Sequence, residues 1–292
     1  MQNNTIYSRK LNLRVIFIFM RSLLVSALVI ISSFADANAQ AQPSGAQAAF
    51  AALPDAPQPQ PSDPTPQYQP DDVTVRNSLQ IFFHDEAAIW TSPARIRPHD
   101  LKWLVPFVLA SGAAIATDHR AQSQLVSKNP AFNNDNIYVS DGLVSGLIAT
   151  PVLIFAKGQF GQDEHAREAG ILGGEAMADG VVVEQVLKLV TWRERPTADS
   201  ARGRFFQSSA GPNASFPSAH CTVAWSAASA VAAEYPNLWT QAAVYSAATG
   251  VSLTRVLGRQ HFPSDVIVGA TAGWLIGHYV VKHHHAKAGN RK

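Results

Sequence analysis

Cations lying inside apolar helical stretches constrain this chain more than any other feature, because a buried charge is tolerated only where a partner or a ligand compensates it. Lys188 sits within VEQVLKLV and Arg255 within TGVSLTRVLG. Each belongs to one of three charged or histidine-bearing segments that follow one another: Lys188 to Pro196 (KLVTWRERP), Pro217 to His220 (PSAH) and Thr254 to Asp265 (TRVLGRQHFPSD). Lys188 and Arg195 are seven residues apart, two turns along nearly the same helix face, and Pro196 limits that helix. Both cations can therefore face one ligand.

The other segments read as helix starts. In Ser215-Phe216-Pro217-Ser218-Ala219-His220, a capping-type Ser shortly before Pro predicts a helix with Pro217 near its first position. The first-turn amides of Ser218, Ala219 and His220 then lack intrahelical acceptors and can bind an anion with help from the helix dipole. Phe262-Pro263-Ser264-Asp265 repeats the pattern. It places His261 just before a new helix and Asp265 in the first turn, within reach of an imidazole nitrogen. Lys188, Arg195 and Arg255 can clamp an oxyanion, His220 and His261 can move protons or attack, and Asp265 can fix one imidazole's tautomer.

In order and internal spacing, Lys-x6-Arg-Pro, Pro-Ser-x-His and Arg-x5-His-x3-Asp resemble the type 2 phosphatidic acid phosphatase (PAP2) superfamily. That superfamily includes bacterial class A acid phosphatases, lipid phosphate phosphatases and vanadium haloperoxidases. The resemblance covers about residues 100 to 282 and departs from the usual pattern at Ala219, normally Gly, and Thr254, normally Ser. Ala219 adds a methyl to the pocket floor, whereas Thr254 keeps the hydroxyl. The resemblance implies an all-α bundle of about six core helices. It also implies metal-independent hydrolysis of phosphomonoesters, lipid phosphates or pyrophosphates, with no cofactor. By the same resemblance, His261 attacks phosphorus to form a phosphohistidine while Asp265 holds its other nitrogen. His220 protonates the leaving oxygen and later activates water. Lys188, Arg195 and Arg255, with the Ser218 and Ala219 amides, bind the phosphate oxygens. The alternatives are a vanadate-dependent haloperoxidase, whose His in the position of His261 would hold vanadate, and a non-catalytic exported helical protein.

The remaining sequence sets wider limits. A net charge of +2 with only 15% charged residues leaves no basic stripe, so nucleic acid is not an expected partner, whereas a phosphorylated small molecule or lipid phosphate is. Arg9, Lys10 and Arg14 precede an apolar stretch broken by Arg21, and Ala37-Asn38-Ala39 offers a small-residue cleavage site. Residues 1–39 therefore read as a signal peptide, and Met20 can serve as an alternative start. Residues 40–75 read as a Pro/Gln/Ala-rich disordered linker, 76–285 as the phosphatase domain and 286–292 as a basic tail. Predicted helices are Asp100 to Thr117, Ile137 to Ala156, Ala166 to Trp192, Pro217 to Glu234, Leu238 to Leu257 and Pro263 to Lys282. Near-zero mean hydropathy favours an exported periplasmic bundle, with an integral membrane protein as the alternative.

Several residues fall outside the phosphate pattern. Cys221, the single cysteine, points about 100° away from His220 on a helix and reads as a core thiol. His283-His284-His285, beside a Lys-rich terminus, reads as a solvated tail with no metal bound. His84-Asp85-Glu86 and Asp118-His119 read as surface or supporting groups. Trp192 and Phe205-Phe206 read as the pocket border or as core.

Overall fold

The computed structural model describes residues 73–289, with side chains to residue 285. The expected signal peptide, its expected cleavage site at Ala37-Asn38-Ala39 and the alternative start at Met20 lie outside the described residues, as does nearly all of the expected linker. Among the described residues there are seven α-helices and no strand: α1 (Ser78–Thr91), α2 (Leu101–Arg120), α3 (Pro130–Gly161), α4 (Glu164–Thr191), α5 (Ala219–Glu234), α6 (Leu238–Leu257) and α7 (Pro263–Gly289). The fold is all-α, as expected. Six of the helices answer to the predicted six, and α1 is the addition.

Local chemistry explains where the helices begin. Asn129 caps α3 by accepting from the amides of Ala131 and Phe132, with Pro130 in the first helical position. That cap starts α3 seven residues earlier than the apolar pattern predicted. Asp163 caps α4 through the Ala166 amide and Asn237 caps α6 through Thr240. The start of α5 differs from expectation as well. Ser218 is the N-cap, extended at φ −76° and ψ 113°, so Pro217 lies before the helix rather than inside it.

Close packing rests on small residues. Gly269, Gly273 and Gly277 form a stripe along α7 facing Ser218, Thr222, Ser226 and Ala230 of α5. A Cβ at Gly273 would lie 2.2 Å from the Thr222 carbonyl oxygen, so only glycine allows the two backbones to approach this closely. The α3–α4 hairpin uses the same device, with Gly170 against Phe155 and Gly173 against Pro151. α5 is central, packed by α3, α4, α6 and α7. Its buried Ala224, Ala227, Ala228 and Val231 meet Val144 and Leu147 of α3, Val244 and Val251 of α6, and Val266 of α7.

The periphery is apolar too. Three helical stretches, Pro98–Leu125, Pro130–Gly161 and Pro263–His285, are long and apolar enough to cross a membrane. α2 buries only Ser111 and Asp118 and exposes Trp103, Val108 and Leu109. α3 exposes Val152, Leu153 and Phe160.

Candidate active site

Four helix ends deliver the predicted residues to one end of the bundle. Lys188 lies in the last turn of α4, His220 in the first turn of α5, Arg255 in the last turn of α6 and Asp265 in the first turn of α7. His261 occupies the turn between α6 and α7, and Arg195 lies beyond the end of α4 at Thr191, so it does not share a helix face with Lys188 as expected. The glycine stripe of α7 fixes the start of α5 against the start of α7, which sets His220 and His261 on adjoining helix termini.

His261 is almost wholly buried, and its Nδ1 lies 2.8 Å from the backbone carbonyl of Ser215. A carbonyl only accepts, so Nδ1 carries the proton and Nε2 is left with its lone pair. This differs from the expected Asp265 contact, since the nearest Asp265 oxygen is 3.6 Å from Nδ1. Burial pushes the imidazole down to about 4 against the opposing pull of Asp265, and the charges of Arg195 and Arg255 act in the same direction as burial. His261 is therefore neutral at neutral pH. The Gln122 side-chain amide donates to the His261 carbonyl at 2.9 Å and pins the turn.

Asp265 is the anchor of a buried network. Its two oxygens accept from Arg193 at 2.6 Å, from the Ser215 hydroxyl at 2.6 Å and from the Phe262 amide at 2.8 Å. The Ser215 carbonyl is the one that holds His261, so Asp265 orients the imidazole mainly through Ser215. Sequence reasoning missed Arg193. This guanidinium lies between the rings of Phe205 and Phe262, at 4.6 and 4.3 Å from their centroids. It also pairs with Asp118 at 2.6 Å and with the Ser264 hydroxyl at 2.7 Å. Asp118 is thus a buried partner that ties α2 to α7, and no surface residue. Adjacent cations in WRERP carry no mark that one faces inward to the scaffold and the other outward to a ligand.

Two of the three cations have a carboxylate partner, Lys188 in Glu184 and Arg255 in Asp141, so the cationic charge is only partly compensated. Lys188 is buried and pairs with Glu184, one turn earlier on α4, at 3.3 Å. Burial lowers its proton affinity, Glu184 opposes that, and the charges of Arg195 and Arg255 lower it further. Arg195 donates to the Asn213 carbonyl at 2.8 Å and to Gln260, contacts that leave its charge uncompensated. Lys188, Arg195 and Arg255 therefore share one electrostatic neighbourhood.

A carboxylate absent from the sequence pattern meets this neighbourhood at its open side. Asp141, from α3, has one oxygen 3.1 Å from His220 Nε2 and 3.2 Å from an Arg255 terminal nitrogen. Burial pushes His220 down to about 4, followed by the charge of Arg255, whereas Asp141 pulls it upward. Asp141 lies 79 and 114 positions from its partners in the chain, so no local spacing could have revealed it.

The expected amide cradle is only partly open. The Ser218 amide donates to the Asp265 carbonyl at 3.1 Å, so it is already occupied and the first free amides of α5 belong to Ala219 and His220. Cys221 is a buried core thiol, as expected. Phe205 serves Arg193 and is not free to line a pocket, whereas Phe206 and Trp192 are exposed. Comparison with known proteins agrees with the helix pattern: the family model described as PAP2 superfamily matches residues 170–288, which include every predicted site residue. No curated protein and no solved structure matches the chain. Over residues 170–288, this all-α chain is similar to the PAP2 superfamily.

Proposed function

We propose that the protein is a phosphatase that hydrolyses a phosphomonoester, or the terminal phosphate of a lipid phosphate or pyrophosphate, through a phosphohistidine on His261. The observation that carries this reading is the convergence of Lys188, Arg195 and Arg255 on two imidazoles held neutral at one end of the bundle. Three cations beside a bound phosphate compensate its charge and stabilise the charge that develops as the leaving group departs.

In the first step the His261 Nε2 lone pair forms a bond to phosphorus while the bond from phosphorus to the ester oxygen breaks. His220 gives its proton to that oxygen. A phosphate dianion offsets the Arg255 and Lys188 charges that suppress His220 protonation, so binding substrate itself loads the acid. In the second step His220 takes a proton from water, whose oxygen attacks phosphorus. The bond to Nε2 then breaks and inorganic phosphate leaves. Asp265 and Ser215 keep the proton on Nδ1 throughout. No step calls on a metal at the phosphate.

The exposed apolar faces of α2 and α3 support association with a membrane and favour a lipid phosphate over a soluble ester. On this reading the chain is exported and its site faces the periplasm. A phosphate-release panel of nitrophenyl phosphate, nucleotides, phosphatidate and undecaprenyl pyrophosphate, with and without detergent, tests the activity. Detergent-dependent release from the lipids is expected. Halide oxidation with vanadate and peroxide, without phosphate release from any substrate, would place the chain with the haloperoxidases instead. Carbonate washing of membranes followed by N-terminal sequencing tests location. Membrane retention with a start near Gln40 is expected, and an unprocessed chain in the cytosol would contradict export.

A further inference from the structure

Two sequence features that the phosphate site does not use meet elsewhere in the bundle. The His84-Asp85-Glu86 run lies on α1 and the His283-His284-His285 run on α7, and the fold brings them together against Glu175 and Asp179 of α4. His84 and His285 are exposed, but the rest of the two runs is not the solvated tail or surface group that the sequence suggested. Asp85 is fully buried, and Glu86 and His284 nearly so. His284 Nε2 lies 3.0 Å from one Asp85 oxygen and His84 Nδ1 3.4 Å from the other. One donor atom each from Asp85, Glu175 and His284 falls within 4.8 Å of the others, and the same holds for His84, Asp85 and His283.

Part of the cluster is buried without a hydrogen-bond partner. Asp179 follows Glu175 by one turn on the same face of α4 and is fully buried, and neither of its oxygens has a hydrogen-bond partner. Glu86 Oε1 is likewise buried without one. Unpaired carboxylates grouped away from water cost several kcal/mol each unless a cation joins them.

We propose that Asp85, Glu175 and His284 bind a first-row divalent cation of the zinc class, with Asp179 supplying further negative charge to the ion. Imidazole with carboxylates suits such a metal, whereas magnesium and calcium prefer all-oxygen donors. The ion lies apart from the phosphate site and takes no part in hydrolysis. It is a clamp that fastens α1, which lies outside the matched residues 170–288, to α4 and α7. This inference does not depend on the phosphatase reading.

Full-length untagged protein, stripped with chelator, titrated with zinc chloride and desalted, tests it by elemental analysis. One zinc per chain is expected. The thermal midpoint should rise by roughly 5–10 °C with zinc at a hundredfold excess over its Kd. Glu175→Gln and His284→Gln should each reduce retained zinc below about a tenth of an equivalent, whereas His285→Gln should keep it. Asp179→Asn guards against loss of fold: it should raise the stability of the stripped protein yet weaken zinc binding about tenfold, opposite signs that a merely structural residue does not give. Wild-type protein that retains no zinc and shows no thermal shift would overturn the proposal. So would unchanged retention by Glu175→Gln and His284→Gln, which would assign the metal to the histidine tract alone.

Discussion

α4 carries two buried charged sites of opposite sign. Near its C-terminal end Lys188 joins Arg195 and Arg255 around two neutral imidazoles, and about two to four turns earlier Glu175 and Asp179 join Asp85 and Glu86 around His284. Asp179 and Glu175 precede Lys188 by about 14 and about 20 Å along the helix, too far for either cluster to neutralise the other. Each cluster therefore holds groups that an ion of opposite charge from outside can engage. On the proposed readings, that ion is a phosphate at the cationic end, transient because it reacts, and a metal at the carboxylate cluster, resident because nothing there turns it over.

The comparison breaks if the two ends do not respond separately to mutation. His261→Ala should lower turnover by at least about 10⁴-fold, the scale for removing a covalent nucleophile, while Glu175→Gln leaves turnover within about twofold. A steady-state assay on the best substrate of the panel decides it. Lys188→Met and Arg255→Met should each lower turnover by about two to three orders of magnitude, the scale for one oxyanion-stabilising group, with helicity retained in circular dichroism. Near-normal turnover in Lys188→Met would remove the α4 cation from the phosphate clamp.

Arg193→Met sharpens the comparison from the scaffold side, because this cation belongs to the cationic end yet faces Asp118 and Asp265. Breaking that buried pair should cost about 3–5 kcal/mol of stability in chemical denaturation, a loss that phosphate or vanadate does not restore. The smallest effect expected is at Asp141, whose carboxylate shares His220 and Arg255 with an incoming phosphate. Asp141→Asn should tighten inhibition by inorganic phosphate by up to about tenfold. Asp141 raises the proton affinity of His220, the proton donor to the leaving oxygen, so its removal should also move the alkaline limb of the kcat profile to lower pH. Weaker inhibition would mean that Asp141 helps to build the phosphate site.

The cationic end was legible in the sequence and the carboxylate cluster was not, for a physical reason. Lys188, Arg195, His220, Arg255, His261 and Asp265 fall at helix ends, where Pro, Ser and fixed offsets mark the chain locally. Asp85, Glu175 and His284 lie within helices, and only the packing of α1 on α4 and α7 brings them together across 199 positions. Asp141 escaped notice for the same reason, and Asp118, read as a surface or supporting group, could not be tied to Arg193. Arg193 escaped for another, because its inward direction depends on how the chain leaves α4 at Trp192 in a left-handed conformation, φ 43°. The six apolar helices were legible as all-α. The start of α5 was misplaced because Pro217 suits the first helical position by propensity, whereas here Ser218 takes the cap and its amide goes to Asp265.

The central claim is that His261 Nε2 attacks phosphorus. Protein mixed with a radiolabelled substrate and quenched within one turnover should carry acid-labile, alkali-stable label on His261. His220→Ala, with a good leaving group, should accumulate that label because its hydrolysis lacks a base. Label at undiminished level in His261→Ala would contradict the account.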